Sequence, residues 1–218
     1  MRVIVEGNIG SGKSTLLAAL HAELPKRAVG WAVDIRPEPV DEWRDMLPLF
    51  YDDPKTWGLP FSLHVLSSHS RNARVPPTTL AVIERSPLSC RHVFTKLLVN
   101  DHVMPMHHWD LFNEYYTMIG WEPSHDDITL FLETPAAVCM QRVQARARHG
   151  EDGKHGVDEP YLRKLEFAYD TMLKFCAGPV YRIDGTLPTP EIARQAMHAI
   201  HGAFQKALTA QMPTPSLA

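Results

Sequence analysis

Short apolar runs, each closed by glycine, proline or an acidic residue, alternate along the chain with longer stretches whose apolar positions return every three or four residues. The short runs predict strands at Val3–Val5, Trp31–Ile35, Leu80–Ile83, Ile128–Leu132 and Val180–Ile183. The longer stretches predict helices between them. The first runs from Lys13 to Leu24 and stops at Pro25, a second spans Asp41–Tyr51, and Asp52-Asp53-Pro54 breaks it. A third starts near Lys55 and carries Trp57, Phe61, Val65 and Leu66 at helical spacing. Arg71–Thr79, with Pro76-Pro77, reads as loop, and Leu88–Val99 and Trp109–Trp121 as two further helices. Thr134-Pro135 supplies a capping hydroxyl and a proline suited to a first helical turn. Long helices over Asp158–Cys176 and Pro190–Ala207 complete the pattern, with a disordered tail from Thr209. Strands alternating with helices imply an α/β domain with a parallel sheet. Without a linker or internal repeat, residues 1–208 read as one domain.

Composition narrows this picture only slightly. The chain has 218 residues, 44% apolar and 22% charged, as expected of a globular domain. A net charge of -3 gives no hint of attraction to nucleic acid or an anionic membrane. No apolar run is long enough to span a bilayer. Cys90, Cys139 and Cys176 are odd in number and widely spaced, which suggests neither a disulfide framework nor a thiolate metal site. A reducing compartment fits, and the strand starting almost at Met1 leaves no room for a leader peptide, so a cytoplasmic location is expected.

The first strand runs into Gly7-Asn8-Ile9-Gly10-Ser11-Gly12-Lys13-Ser14, followed by Thr15 and the first helix. This is the strand–glycine turn–helix context in which G-x-x-x-x-G-K-[ST] acts as a phosphate cradle. Glycines let successive amides point inward at phosphate oxygens, and the helix N-terminus adds partial positive charge. Lys13 is the cation for the β- and γ-phosphates, and the Ser14 hydroxyl is a candidate Mg²⁺ ligand. The motif implies a nucleoside triphosphate, ATP by default, but not the acceptor.

Two carboxylates lie at the ends of predicted strands, where open parallel sheets bind ligands. Glu38, held extended by Pro39, follows the second strand, and Glu84 closes the third beside Arg85. A carboxylate there suits a proton acceptor or the Mg²⁺ side of a phosphoryl-transfer site. Arg142, Arg146 and Arg148 lead into the glycine-rich segment His149–Gly156, which reads as an arginine-bearing lid over about residues 142–157.

Together these motifs resemble the deoxyribonucleoside kinases, the thymidine, deoxycytidine and deoxyguanosine kinases of cells and viruses, most nearly the insect multisubstrate and mitochondrial thymidine kinase branch. Four pieces carry the resemblance: Gly7–Ser14, Glu38-Pro39-Val40 with Trp43, Glu84-Arg85-Ser86 with Arg91 and Phe94, and the lid group Arg142, Arg146, Arg148 and Glu151. It covers Val3 to about Glu151 and continues more weakly through the next helix. The resemblance implies a P-loop NTPase-type, five-stranded parallel sheet flanked by helices, ATP with Mg²⁺, a deoxynucleoside acceptor and a homodimer, with residues 88–121 as interface. It implies that Glu38 is the base for the 5′-hydroxyl, that Arg85 contacts the 5′-oxygen and that Glu84 lies on the Mg²⁺ side. It assigns Tyr51 and Glu151 to the 3′-hydroxyl, and Ile9, Trp43, Phe61, Val65 and Phe94 to the walls around the base.

The base pocket departs from the family pattern. Ser62 stands where the family has a glutamine that forms a bidentate bond with the base, and serine has no amide fork. His64 or His69, further along the same helix, are candidate substitutes. Cys90 replaces an aspartate, and His69 an arginine, of deoxycytidine-type members, while Gln144 replaces a further lid arginine. Cys90 and His69 point to a pyrimidine-leaning pocket that accepts thymidine, and Ser62 to relaxed selectivity. A nucleoside monophosphate kinase would need more cations for its acceptor than Arg36, Arg44, Arg85 and Arg91. A non-catalytic nucleotide-binding module would have no use for Glu38, Lys13 and Arg85 together.

Overall fold

A computed structural model describes residues 1–26, 31–76, 78–146 and 156–210. Among these, β1 (Arg2–Gly7), β2 (Ala32–Arg36), β3 (Thr79–Glu84), β4 (Ile128–Glu133) and β5 (Val180–Asp184) form one sheet in the order β2-β3-β1-β4-β5, parallel at every pairing. The three central strands are almost wholly buried, because helices cover both faces of the sheet. On one face α1 (Lys13–Glu23) and α9 (Thr189–Ala210) bury Val3, Val5, Leu80, Val82, Leu130 and Leu132. On the other, Ile4, Ala81, Ile83 and Phe131 pack among α3 (Pro54–Asn72), α6 (Met106–Met118), α7 (Ala136–Arg146) and α8 (Glu159–Met172). The alternation of strand side chains between these two cores is the period-two pattern of a sheet covered twice.

Several expected boundaries move, for local reasons. The helix read over Asp41–Tyr51 is a 3-10 turn at Val40–Glu42 followed by α2 (Met46–Asp52). Pro48 accounts for the break: its ring would clash with the carbonyl four residues earlier, so it fits only in a first turn. α3 extends to Asn72 and takes the start of the expected loop. The segment after β3 is α4 (Pro87–Ser89), a π-helical turn at Cys90–Thr95 and α5 (Lys96–Asn100), continuous where one ordinary helix was expected. α8 stops at Met172 and tightens into a 3-10 turn at Leu173–Phe175. α9 continues to Ala210, past the expected start of the tail, and residues 211–218 lie outside the described part. The lid segment 147–155 also lies outside it, including Arg148 and Glu151.

Candidate active site

The C-terminal ends of β1, β2 and β3 open into one cleft of about 820 Å³. β1 delivers the glycine loop. Gly7, Gly10 and Gly12 have φ of 149°, 79° and 105°, values that L side chains rarely adopt. At Gly10 close approach adds a second requirement, since a Cβ would lie 2.5 Å from the Cys139 carbonyl oxygen of α7. The loop is braced from outside. Asn8 Nδ2 donates to Leu162 O at 2.8 Å, Thr134 Oγ1 to Ser11 O at 3.2 Å, and Arg142 Nη1 to the same oxygen at 3.1 Å. Lys13 Nζ folds back over the loop and donates to Gly7 O at 3.1 Å and Asn8 O at 2.8 Å. Burial, helped by the nearby Arg85 charge, lowers Lys13 to about 8, against the pull of Glu84, Glu38 and Glu6. Phosphate oxygens in the cleft would add further opposite charge beside this ammonium and offset the cost of its burial.

β2 and β3 bring three functional groups together. Arg85 Nε lies 2.9 Å from Glu38 Oε1, with His69 Nε2 at 3.6 Å from the same oxygen. The Arg85 N–H is not aligned on that oxygen, so the contact is an ion pair rather than a hydrogen bond. Burial opposes the Glu38 charge. The Arg85 guanidinium, with His69 and Lys13 behind it, outweighs that cost and holds the carboxyl well below the usual carboxylate range. Burial likewise works against the charge on Arg85, and Glu38 overcomes it and raises its pKa. Both groups are therefore ionised near neutrality. Ser14 Oγ lies 3.2 Å from each Glu84 carboxylate oxygen, and Glu84 Oε2 also accepts from the Glu38 amide at 3.4 Å. A hydroxyl and a carboxylate in contact at the phosphate end are hard oxygen donors, a set that suits Mg²⁺ with water and phosphate completing its shell.

The far end of the cleft is apolar and aromatic. Trp43, Phe61, Val65 and Phe94 all line it, as do Tyr51, Ser62 and Cys90, and Ile9 lines the cleft from the glycine loop. Trp43 meets Phe61 edge to face at 5.6 Å and 87°, and Phe50 stacks on Phe61 at 4.8 Å and 14°. Cys90 Sγ faces Ser62 O at 3.7 Å, so the position lacking the glutamine is walled by a second small side chain. Of the two candidate histidines, His69 lines the cleft and approaches Glu38, whereas His64 Nδ1 lies 3.1 Å from Met46 Sδ beside α2. Arg91 turns away to Asn113 Oδ1 at 2.8 Å and covers the Tyr116 ring. Arg142 and Arg146 line the cleft from the end of α7. Phe50, Leu47, Leu98 and Tyr161 also line it, although nothing in the spacing singled them out. Leu47 directly precedes Pro48 and Phe50 follows two residues after it, so the helix boundary that Pro48 sets was the available signal.

Residues 3–206 match the family model for deoxynucleoside kinases. The chain belongs to the deoxynucleoside kinase family. It is 32% identical to the thymidine kinase of Ictalurid herpesvirus 1, over 90% of this chain and 84% of that one. It is 26% identical to deoxycytidine kinase 2 of Gallus gallus, over 79% and 73% of the two chains. Human mitochondrial thymidine kinase 2 is 31% identical over 68% of this chain and 56% of its own. The protein is thus a kinase that transfers phosphate from ATP to a deoxynucleoside. No described helix is long and apolar enough to cross a membrane.

Proposed function

We propose that this kinase phosphorylates the 5′-hydroxyl of pyrimidine deoxynucleosides, thymidine among them, with Glu38 as the general base. The observation that carries the chemistry is the Glu38–Arg85 pair at the junction between the phosphate cradle and the aromatic end. A primary hydroxyl needs a proton acceptor as it attacks, and an ionised carboxylate beside it supplies one. Arg85, next to that carboxylate, offers a cation to the same oxygen as the bond to phosphorus forms. Lys13 and the amides of Gly7–Thr15 hold the donor phosphates, and Arg142 and Arg146 add charge from α7. Arg148 and Glu151 are assigned to the lid on the same reading. Ser14 and Glu84 would hold Mg²⁺, which neutralises charge on the phosphates when bound.

Base preference rests on the far wall. The aromatic faces of Trp43, Phe61 and Phe94 suit a flat ring, and base–aromatic stacking contributes about 1–3 kcal/mol. The small thiol of Cys90 leaves space for the thymine methyl, while Ser62 offers no bidentate grip on a base edge. Tyr51 is assigned to the sugar 3′-hydroxyl. The reading includes a homodimer and a reducing, cytoplasmic setting. α6 exposes Met106, Leu111 and Met118, and all three cysteines are free.

The test is Glu38→Gln. Thymidine should still bind, while single-turnover phosphorylation slows by about 10²–10⁴. Near-normal single-turnover rates would remove Glu38 from the role of base.

A further inference from the structure

Arg85 is held by more than its partner in the cleft. Its φ of 64° places it in the left-handed region, its amide donates to Val5 O at 3.0 Å, and its side chain is 6% exposed. The Nε contact to Glu38 is not an aligned hydrogen bond, and the Nη1 contact to Gly7 O is long at 3.4 Å. The short contact runs from Nη1 to the hydroxyl of Tyr169, on α8 and 84 residues away. Tyr169 is fully buried, with its ring edge-on to Phe94 at 6.3 Å and 88° and tilted against Phe131 at 5.6 Å. The guanidinium lies over that same Phe94 ring, 4.6 Å from its centre. Phe94 therefore sets the plane of the guanidinium and Tyr169 fixes its far end, which leaves the Nε edge towards Glu38.

We propose that Tyr169 is a positioning residue for phosphoryl transfer, acting through Arg85 to hold the Glu38–Arg85 pair in register with the cradle. Tyr169 does not itself line the cleft. A neutral oxygen suits this role, because it accepts from the guanidinium without cancelling the charge that the reaction uses. Burial pushes the Tyr169 hydroxyl well above its ordinary pKa, so it stays neutral. The same helix accepts Asn8 Nδ2 at Leu162 O and lines the cleft with Tyr161. One rigid element thus backs both the glycine loop and the arginine, which keeps their separation fixed. The inference rests on the assignment of Glu38 and Arg85 above.

Tyr169→Phe keeps the ring packing and removes only the hydroxyl. A hydrogen bond to a charged group, lost where the transition state needs it, should lower kcat about tenfold. The KM for ATP should stay within about twofold, because the cradle is not altered, while the Tm falls by about 2–12 °C as the buried guanidinium loses a partner. Arg85→Lys supplies the second arm, since a single ammonium cannot span Tyr169 and Glu38 together. In that background Tyr169→Phe should slow turnover by less than about twofold further, the signature of two residues acting as one. A kcat within about twofold of wild type, or equal slowing in both backgrounds, overturns the proposal. Where Arg85→Lys turns over too slowly to compare, the same four proteins are compared by Tm, and additive shifts overturn it. Glu38→Gln separates the two readings. Normal turnover there beside a slow Tyr169→Phe removes Glu38 as base and keeps Tyr169 on Arg85, and the converse removes Tyr169 alone.

Discussion

Gly10→Ala isolates the steric contribution of the phosphate loop. The added methyl meets two obstacles. At φ 79° an L residue is strained, by about 1–2 kcal/mol. Its Cβ would also sit 2.5 Å from the backbone carbonyl oxygen of Cys139 and 3.1 Å from Val143 Cγ2, both on α7. A carbonyl in a helix cannot turn aside, so α7 must retreat by about 0.9 Å to restore an ordinary contact. That movement pulls on Arg142, which ties Ser11 O to Gly185 O at 3.1 and 2.9 Å. Overpacking of this kind costs about 1–3 kcal/mol, for a total near 2–5 kcal/mol with the backbone strain. In a chain of 218 residues that is a Tm loss of about 4–20 °C. Gly120→Ala is the control. Its φ is 62°, but nothing lies within 4 Å of the new Cβ, so it carries the backbone strain alone. Differential scanning calorimetry gives both Tm values, and equilibrium binding of ATP shows whether the loop amides have moved. Gly10→Ala should lose more stability than Gly120→Ala and should alone weaken ATP. Equal Tm losses, or unchanged ATP affinity in Gly10→Ala, would refute the close-approach argument.

Tyr51→Phe should narrow the preference for 2′-deoxynucleosides over 2′,3′-dideoxynucleosides, because a buried partner left unpaired costs about 1–3 kcal/mol; equal wild-type rates on both sugars would remove the 3′-hydroxyl clamp. Ser62→Gln should sharpen discrimination among bases by restoring an amide fork beside Cys90, read as the spread of kcat/KM across four deoxynucleosides; an unchanged spread would show that the amide does not reach the base. Burial pushes the Cys90 thiol up to about 12 and Cys139 up to about 11, so both stay protonated at pH 8. Iodoacetamide should therefore label them far more slowly in the native enzyme than in urea, as read by mass spectrometry, and equal rates would contradict that burial.

The parts of this molecule legible in its sequence are those governed by local chemistry. The strands announced themselves because doubly covered sheets need unbroken apolar runs, as at Ile128–Leu132. The glycine loop was legible because its backbone admits few residue types, and Glu38, Glu84 and Arg85 because they sit where strands end. Pro48 held the true start of α2, but its meaning was lost in a window of apolar residues. The π-helical turn at Cys90–Thr95 has no local signature, since its register is set by packing against α3 and α8. Tyr169 was invisible for the same reason. In sequence it is one apolar position of an amphipathic helix, and only the fold puts its hydroxyl against Arg85. Ser62 and Cys90 are each visible in the sequence, but the approach of the Cys90 thiol to the Ser62 carbonyl is a tertiary fact.

The most direct test of the account is kcat/KM for thymidine, deoxycytidine, deoxyguanosine and deoxyadenosine with ATP, measured on the wild-type enzyme by coupled ADP release. The aromatic walls and the small Ser62–Cys90 corner lead us to expect pyrimidines ahead of purines. Thymidine should be among the good substrates, and the spread should fall below the roughly 10⁴–10⁵ that a fully hydrogen-bonded pocket achieves. A strict preference for purines would contradict the pocket assignment.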